Sequence, residues 1–121
     1  MRWIWAGALL LSGLAMAGGA SAQDCDRTAT QLDINLCLSD AYAARDARLN
    51  EVYGQVVMAF GPDLEEGLRV AQRSWIVYRD AYCDWEASQW QGGSGQPMAR
   101  LDCLIRLTGQ QIENLELHMS R

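Results

Sequence analysis

Three segments of the chain carry apolar residues at steps of three and four positions, a spacing that gathers side chains on one face of an α-helix. The first stripe comprises Leu38, Tyr42, Leu49, Val52, Val56 and Phe60. The second comprises Leu64, Leu68, Ala71, Trp75, Tyr78, Tyr82 and Trp85. The third comprises Met98, Leu101, Ile105, Thr108, Ile112, Leu115 and Met119. Because no segment alternates with period two, the pattern predicts an all-α fold, a three-helix antiparallel bundle. The regular steps of the second stripe predict a packing seam rather than an aromatic ligand platform.

Capping residues and a Gly-Pro pair mark the boundaries of these helices. Thr28 and Thr30 are each followed three residues later by a polar side chain that can complete a capping box, so either can open the first helix. Gly61 and Pro62 interrupt the pattern, because the residue before a proline disfavours helical geometry. We expect Asp63 to cap the second helix.

The first 22 residues are typical of an export signal. Arg2 precedes an apolar run over residues 6–17, and small residues at 20–22 predict cleavage before Gln23. An uncleaved membrane anchor is the alternative, but the run is short for a membrane span. The segment does not end in a cysteine, so no lipid can be attached there. We therefore expect one periplasmic or secreted domain over residues 23–121, with no membrane contact after cleavage.

The composition of the chain argues against several classes of function. The 121 residues include 15 acidic and 10 basic side chains, and the net charge is −5, so the chain lacks the basic surface that a nucleic-acid partner requires. His118 is the single histidine, and no metal-binding pattern, cofactor motif or catalytic constellation is evident. Asp80 and Asp84, one helical turn apart, allow an enzymatic alternative that acts on cell-wall material, although ion pairing with arginine explains them more simply. The sequence predicts a protein that is not an enzyme.

Four cysteines in an exported chain predict two disulfides. Counting heights along an antiparallel bundle favours Cys37–Cys103 with Cys25–Cys83. Cys37–Cys83 with Cys25–Cys103 fits nearly as well. The adjacent pairing Cys25–Cys37 fits less well.

Residues 91–97 form the clearest loop, rich in glycine, and Pro97 can sit in the first turn of the third helix. One interpretation of this loop is purely structural, as a flexible connector between two helices. The functional interpretation is a small tip in which Gly92, Gly93 and Ser94 approach a partner closely, with Trp90 as an exposed anchor. Trp90 falls outside the second stripe, which favours its exposure.

An ordered set of short segments resembles the LprI-like lysozyme-inhibitor domain family. The segments are Thr30, Gln31, Asn35 and Cys37; Tyr42, Asp46, Leu49, Asn50 and Tyr53; Ala71, Gln72, Arg73, Ser74, Trp75, Tyr78, Arg79, Asp80 and Cys83; Gly92, Gly93 and Ser94; and Cys103, Leu107 and Thr108. Within them, Arg73, Trp75, Arg79 and Asp80 form the family-like part of the second helix. They either brace the bundle or contribute to a binding site.

The resemblance implies an exported protein-binding module that inhibits a lysozyme. Animal c-type lysozymes are basic and carry carboxylates in their cleft, so an acidic domain would be attracted to them. The alternative is a structural or interaction protein of the cell envelope whose partner is another exported protein.

Overall fold

The computed structural model describes residues 22–120 and shows three helices. A 3₁₀ turn, Ala22–Asp24, precedes α1 (Gln31–Phe60), α2 (Pro62–Ser88) and α3 (Gln96–Glu116). The predicted all-α fold is confirmed, and no strand occurs within this part of the chain. The predicted signal peptide, apart from Ala22, lies outside the described residues.

Contacts between helices give their directions. Arg79 contacts Thr108 and Gln72 contacts Gln111, so α3 runs antiparallel to α2. The ion pair between Arg48 and Glu116 joins the later parts of α1 and α3, which run parallel. Helix α3 packs extensively against both other helices, whereas α1 and α2 touch each other far less. The bundle is therefore arranged around α3.

The stripes predicted for α1 and α3 form most of the core. Leu38, Leu49 and Val52 of α1 are at most 2% exposed, and the α3 stripe is buried from Ile105 to Leu115. Phe60 and Met119, at the ends of their stripes, are instead 45% and 43% exposed. Burial of these side chains supplies the main force that holds the helices together.

The packing seam predicted for α2 is only partly correct. Leu68, Trp75 and Tyr82 are half-buried against the other helices. The remaining members of the predicted stripe are exposed, namely Leu64, Ala71, Tyr78 and Trp85. The buried positions of α2 are Gln72, Arg79, Cys83 and Ala87. The helix is thus rotated by about one position from the apolar stripe, because two polar side chains find partners inside the bundle.

The first helix begins as predicted, but the second begins differently. The Thr30 hydroxyl accepts a hydrogen bond from the backbone N–H of Asp33, at 3.2 Å, and caps α1. The prediction that Asp63 caps α2 is wrong. Gly61, at φ +79°, is the residue before the helix, and Pro62 opens it, so Asp63 already lies inside the first turn. Pro97 stands in the first turn of α3, as expected.

Both disulfides are present, but the favoured pairing is wrong. The bonds are Cys25–Cys37 and Cys83–Cys103. Cys83 and Cys103 lie at similar distances from the loop between α2 and α3. The comparison of cysteine positions along the bundle axis did not take this into account. The segment that carries Cys25 folds back on α1 and α3, where Arg27 pairs with Asp102 at 3.0 Å, rather than on α2.

Candidate functional site

The loop between α2 and α3 is a run of hydrogen-bonded turns. The Trp90 N–H donates to the carbonyl of Ala87 at 2.9 Å, and the Gly93 N–H donates to the carbonyl of Trp90 at 2.9 Å. Gly92 has φ +78°, a left-handed backbone conformation that favours glycine. The loop therefore has a defined conformation that its glycines permit.

Trp90 stands at this tip with 55% of its surface exposed. A Cβ added to Gly95 would lie 3.9 Å from Cε3 of Trp90, so the indole rests beside that glycine. A Cβ on Gly93 would lie only 3.1 Å from the Trp90 carbonyl oxygen. Because Gly93 and Gly95 have no side chains, the backbone can pass close to the carbonyl group and the ring of Trp90.

The structure brings together the four residues predicted to contact a partner. Trp90, Gly92, Gly93 and Ser94 are all exposed at one end of the bundle. An exposed indole on a preformed tip can insert into a concave surface at low conformational cost.

Arg79 lies at the centre of a polar cluster that joins all three helices. Its guanidinium carbon is 5.2 Å from the ring centre of Trp75 and 5.5 Å from that of Tyr42. The guanidinium donates to a carboxylate oxygen of Asp80 at 3.0 Å and to the Thr108 hydroxyl at 3.4 Å. Because Arg79 is only 6% exposed, these groups brace the core and present little of the cation to a partner.

The family-like residues of α2 therefore divide into two groups. Trp75 and the partly exposed Asp80 contact the buried guanidinium of Arg79, and Asp46 of α1 adds a more distant ion pair to Arg79 at 3.8 Å. Arg73 is exposed and takes no part in this cluster. Sequence reasoning missed Tyr42, Asp46 and Thr108 as partners of Arg79. Thr108 was nevertheless detectable, because it is the one hydrophilic member of the α3 stripe.

Burial of the Tyr42 phenol beside this cluster raises its pKa. The positive charge of Arg79 acts in the opposite direction but is the smaller effect. The folded protein thus keeps this phenol protonated to higher pH than a solvated tyrosine does.

The alternative catalytic residues are held in ion pairs. Asp84 accepts a hydrogen bond from Nε of Arg100 at 2.8 Å, while Asp80 pairs with Arg79. Each carboxylate thus has its own arginine, as expected of structural ion pairs. His118 is exposed, and its ring stands edge-on to Phe60 with 6.1 Å between ring centres. Between residues 22 and 120, no group of three or more His, Cys, Asp or Glu side chains is arranged to hold a metal ion.

The surface is acidic because several carboxylates lack a matching arginine. Arg27, Arg48, Arg69, Arg100 and Arg106 each pair with an acidic side chain. Among the described residues, the carboxylates without an ion pair include Asp33, Asp40, Asp63, Glu65 and Glu113. A basic partner would therefore be attracted from several directions.

Comparison with known proteins identifies the family. The family described as Lysozyme inhibitor LprI matches residues 22–115. An uncharacterized protein of Rhizobium meliloti strain 1021 is 36% identical, in an alignment that covers 89% of this chain and 88% of that protein. No solved structure shows a significant match to this chain. None of the helices in the described residues is long and apolar enough to cross a membrane. Because the family match spans most of the chain, this protein belongs to the lysozyme inhibitor LprI family.

Proposed function

We propose that this chain is an exported protein-binding module that inhibits a lysozyme, and that Trp90 and the loop of residues 89–95 contact the enzyme. The observation that carries the proposal is the exposed indole of Trp90 on a hydrogen-bonded glycine tip. The family is one of inhibitors rather than enzymes. The predicted signal peptide and the two disulfides support a place outside the cytoplasm.

Inhibition would follow from simple exclusion of substrate. The active-site cleft of lysozyme carries two carboxylates and must admit a glycan chain. A narrow tip can enter such a cleft, where the backbone of Gly92 and Gly93 approaches its walls without side-chain clashes. The unpaired carboxylates elsewhere on the bundle would raise the rate of encounter with a basic enzyme.

A second candidate function is binding of an envelope protein other than lysozyme, through α2. Tyr78, Tyr82 and Trp85 form a continuous aromatic strip, with 5.7 and 5.5 Å between successive ring centres. Tyr78 and Trp85 are more than half exposed, and exposed aromatic side chains are enriched at protein interfaces.

Titration of the oxidised protein into lysozymes of different types, with cell-wall lysis as the readout, tests the proposal. We expect saturable inhibition of at least one type. Trp90→Ala should raise the concentration for half-inhibition by about tenfold or more, the effect of losing an interface hot spot. Trp85→Ala is the matched control, because Trp85 is a tryptophan of similar exposure on the aromatic strip.

The outcomes separate the two functions. Inhibition that is sensitive to Trp85 and not to Trp90 would transfer the contact from the loop to α2. If every lysozyme type stays fully active at excess protein, the inhibitor proposal is wrong and the envelope-partner function remains.

A further inference from the structure

A cleft of about 220 Å³ opens where α1 turns into α2, at the end of the bundle away from Trp90. Its lining residues are Val56, Val57, Phe60, Gly61, Leu64, Glu65, Leu68 and His118. Apart from Glu65 and His118, these residues present only apolar side chains or backbone. Pockets for small organic ligands commonly exceed about 300 Å³, so this cleft suits one or two protein side chains better than a cofactor.

The cleft has a buried floor and open walls. Val56 is 4% exposed and belongs to the core, whereas Phe60 and Leu64 are 45% and 59% exposed. The ring of His118 stands against Phe60 and closes one side. Exposed apolar walls around a preformed concave surface are a feature of docking sites for a partner's side chain.

The charges at the rim indicate what kind of partner fits. Glu65 lines the cleft, and within the described part of the chain it has no ion pair. Asp63 stands in the same first turn of α2 but outside the lining. Glu66 follows them, but its charge is already matched by Arg69. A second copy of this chain is a poor occupant, because its net charge is also negative. A basic segment would meet opposite charge at the rim and apolar surface inside.

We propose that this cleft is a second docking surface, which takes a large apolar side chain of a basic polypeptide segment. A lysine or arginine residue beside that side chain would pair with Glu65. Helix α2, which separates the cleft from the loop, has 27 residues and is therefore about 40 Å long. The two surfaces can be occupied independently, so this proposal does not depend on lysozyme inhibition.

The probe is a capped nine-residue peptide in which lysine and alanine residues surround a central phenylalanine. Methyl NMR spectra of the oxidised protein report its binding. We expect saturable shifts at the methyl groups of Val56, Val57, Leu64 and Leu68. A peptide with glutamate in place of every lysine should bind at least tenfold more weakly, because its charge matches that of the rim.

Variants of residues outside the core localise the site. Leu64→Asp should weaken peptide binding at least tenfold, and Glu65→Gln should weaken it several-fold and reduce its dependence on salt. Met58→Asp is the control, because Met58 lies on α1 but outside the cleft and is 86% exposed. It should leave binding unchanged. Circular dichroism checks that each variant folds.

Several results would overturn the proposal. These are methyl shifts centred away from the cleft, equal binding of the glutamate peptide, or full affinity in Leu64→Asp. Shifts at the cleft that depend on protein concentration without peptide would assign it to a second copy of the chain. Peptide binding should also persist in Trp90→Ala, so a failure of lysozyme inhibition and a failure of the cleft are observed separately.

Discussion

The buried guanidinium of Arg79 donates a hydrogen bond to the hydroxyl of Thr108, 3.4 Å away, and joins α2 to α3 inside the core. The same guanidinium lies against the rings of Tyr42 and Trp75. A planar cation in contact with two aromatic rings satisfies both electrostatic and packing requirements, which an aliphatic side chain cannot do. Arg79, unlike the exposed Arg73, therefore has a structural role.

Replacing Arg79 should destabilise the protein strongly. Arg79→Ala leaves a cavity beside two rings and removes a hydrogen-bond partner of Thr108, so we expect the free energy of unfolding to fall by about 2–4 kcal/mol. Equilibrium urea unfolding with intact disulfides measures it. Arg73→Ala, at an exposed position of the same helix, should change it by less than about 0.5 kcal/mol. Equal effects of the two substitutions would contradict the bracing role.

The raised pKa of Tyr42 should make stability depend on pH in the alkaline range. In the unfolded chain this phenol ionises near its ordinary pKa of about 10, whereas in the folded protein it keeps its proton to higher pH. Below both pKa values the two states bind the proton equally. As pH rises above about 10, the unfolded state releases it first, so the free energy of unfolding should fall.

Unfolding measured at a series of alkaline pH values checks this dependence. Tyr42→Phe should reduce the decline, because the variant has no phenol to ionise at this position. A decline identical in the wild type and in Tyr42→Phe would show that Tyr42 is not its source.

The α2 face shows how far sequence could predict this fold. The turn at Gly61 follows from the proline after it. The number of helices and the stripes of α1 and α3 follow from apolar periodicity, because the buried faces of these two helices are mostly apolar. On α2 the same rule selected Tyr78 and Trp85, which are exposed, since it cannot register that Gln72 and Arg79 gain partners when buried. Tertiary partners decide such positions, and they are invisible in a single sequence.

The candidate site was easier to locate than the disulfides. Trp90 and the glycine loop are local features, and the structure places them together at an exposed tip. Their contact with a partner stays a prediction. Disulfide pairing depended on where the segment around Cys25 folds. In the structure Cys25 is buried in one cluster with Ile34, Leu38 and Ile105, and Arg27 pairs with Asp102 of α3.

Loss of either disulfide should lower stability, and loss of Cys83–Cys103 should lower it more. Cys83 and Cys103 are 20 positions apart, and Cys25 and Cys37 are 12 positions apart. In the chain-entropy treatment, closing a loop of this size stabilises the folded state by about 3 kcal/mol. Cys83 and Cys103 are also fully buried, so replacing both with alanine creates a cavity as well. Urea unfolding of the two double-alanine variants compares them.

A peptide map under non-reducing conditions is the direct test of the pairing. It should yield Cys25 linked to Cys37 and Cys83 linked to Cys103. A fragment that links Cys37 to Cys103 would contradict the structure.

Two glycine substitutions in the loop should show whether stability depends on the positive φ of Gly92. Gly92→Ala should cost about 1–2 kcal/mol, because alanine is disfavoured at the positive φ of this residue. Gly95→Ala is the control in the same loop. Gly95 has a negative φ of −82°, and the nearest atom to an added Cβ is 3.9 Å away. The control should leave the unfolding midpoint nearly unchanged, and an equal loss in both variants would argue against strain at Gly92.

The position of α3 between its two neighbours sets the order in which the fold can be completed. A ribosome makes α1 first, yet the helix against which α1 buries most of its apolar face is made last. Until Leu104 and Ile112 have emerged, the stripe of α1 has little to pack against. Cys25 and Cys37 can join as soon as that segment reaches an oxidising compartment, whereas Cys83 must wait for Cys103. The nascent chain therefore exposes a long apolar helix face until almost its whole length has been made.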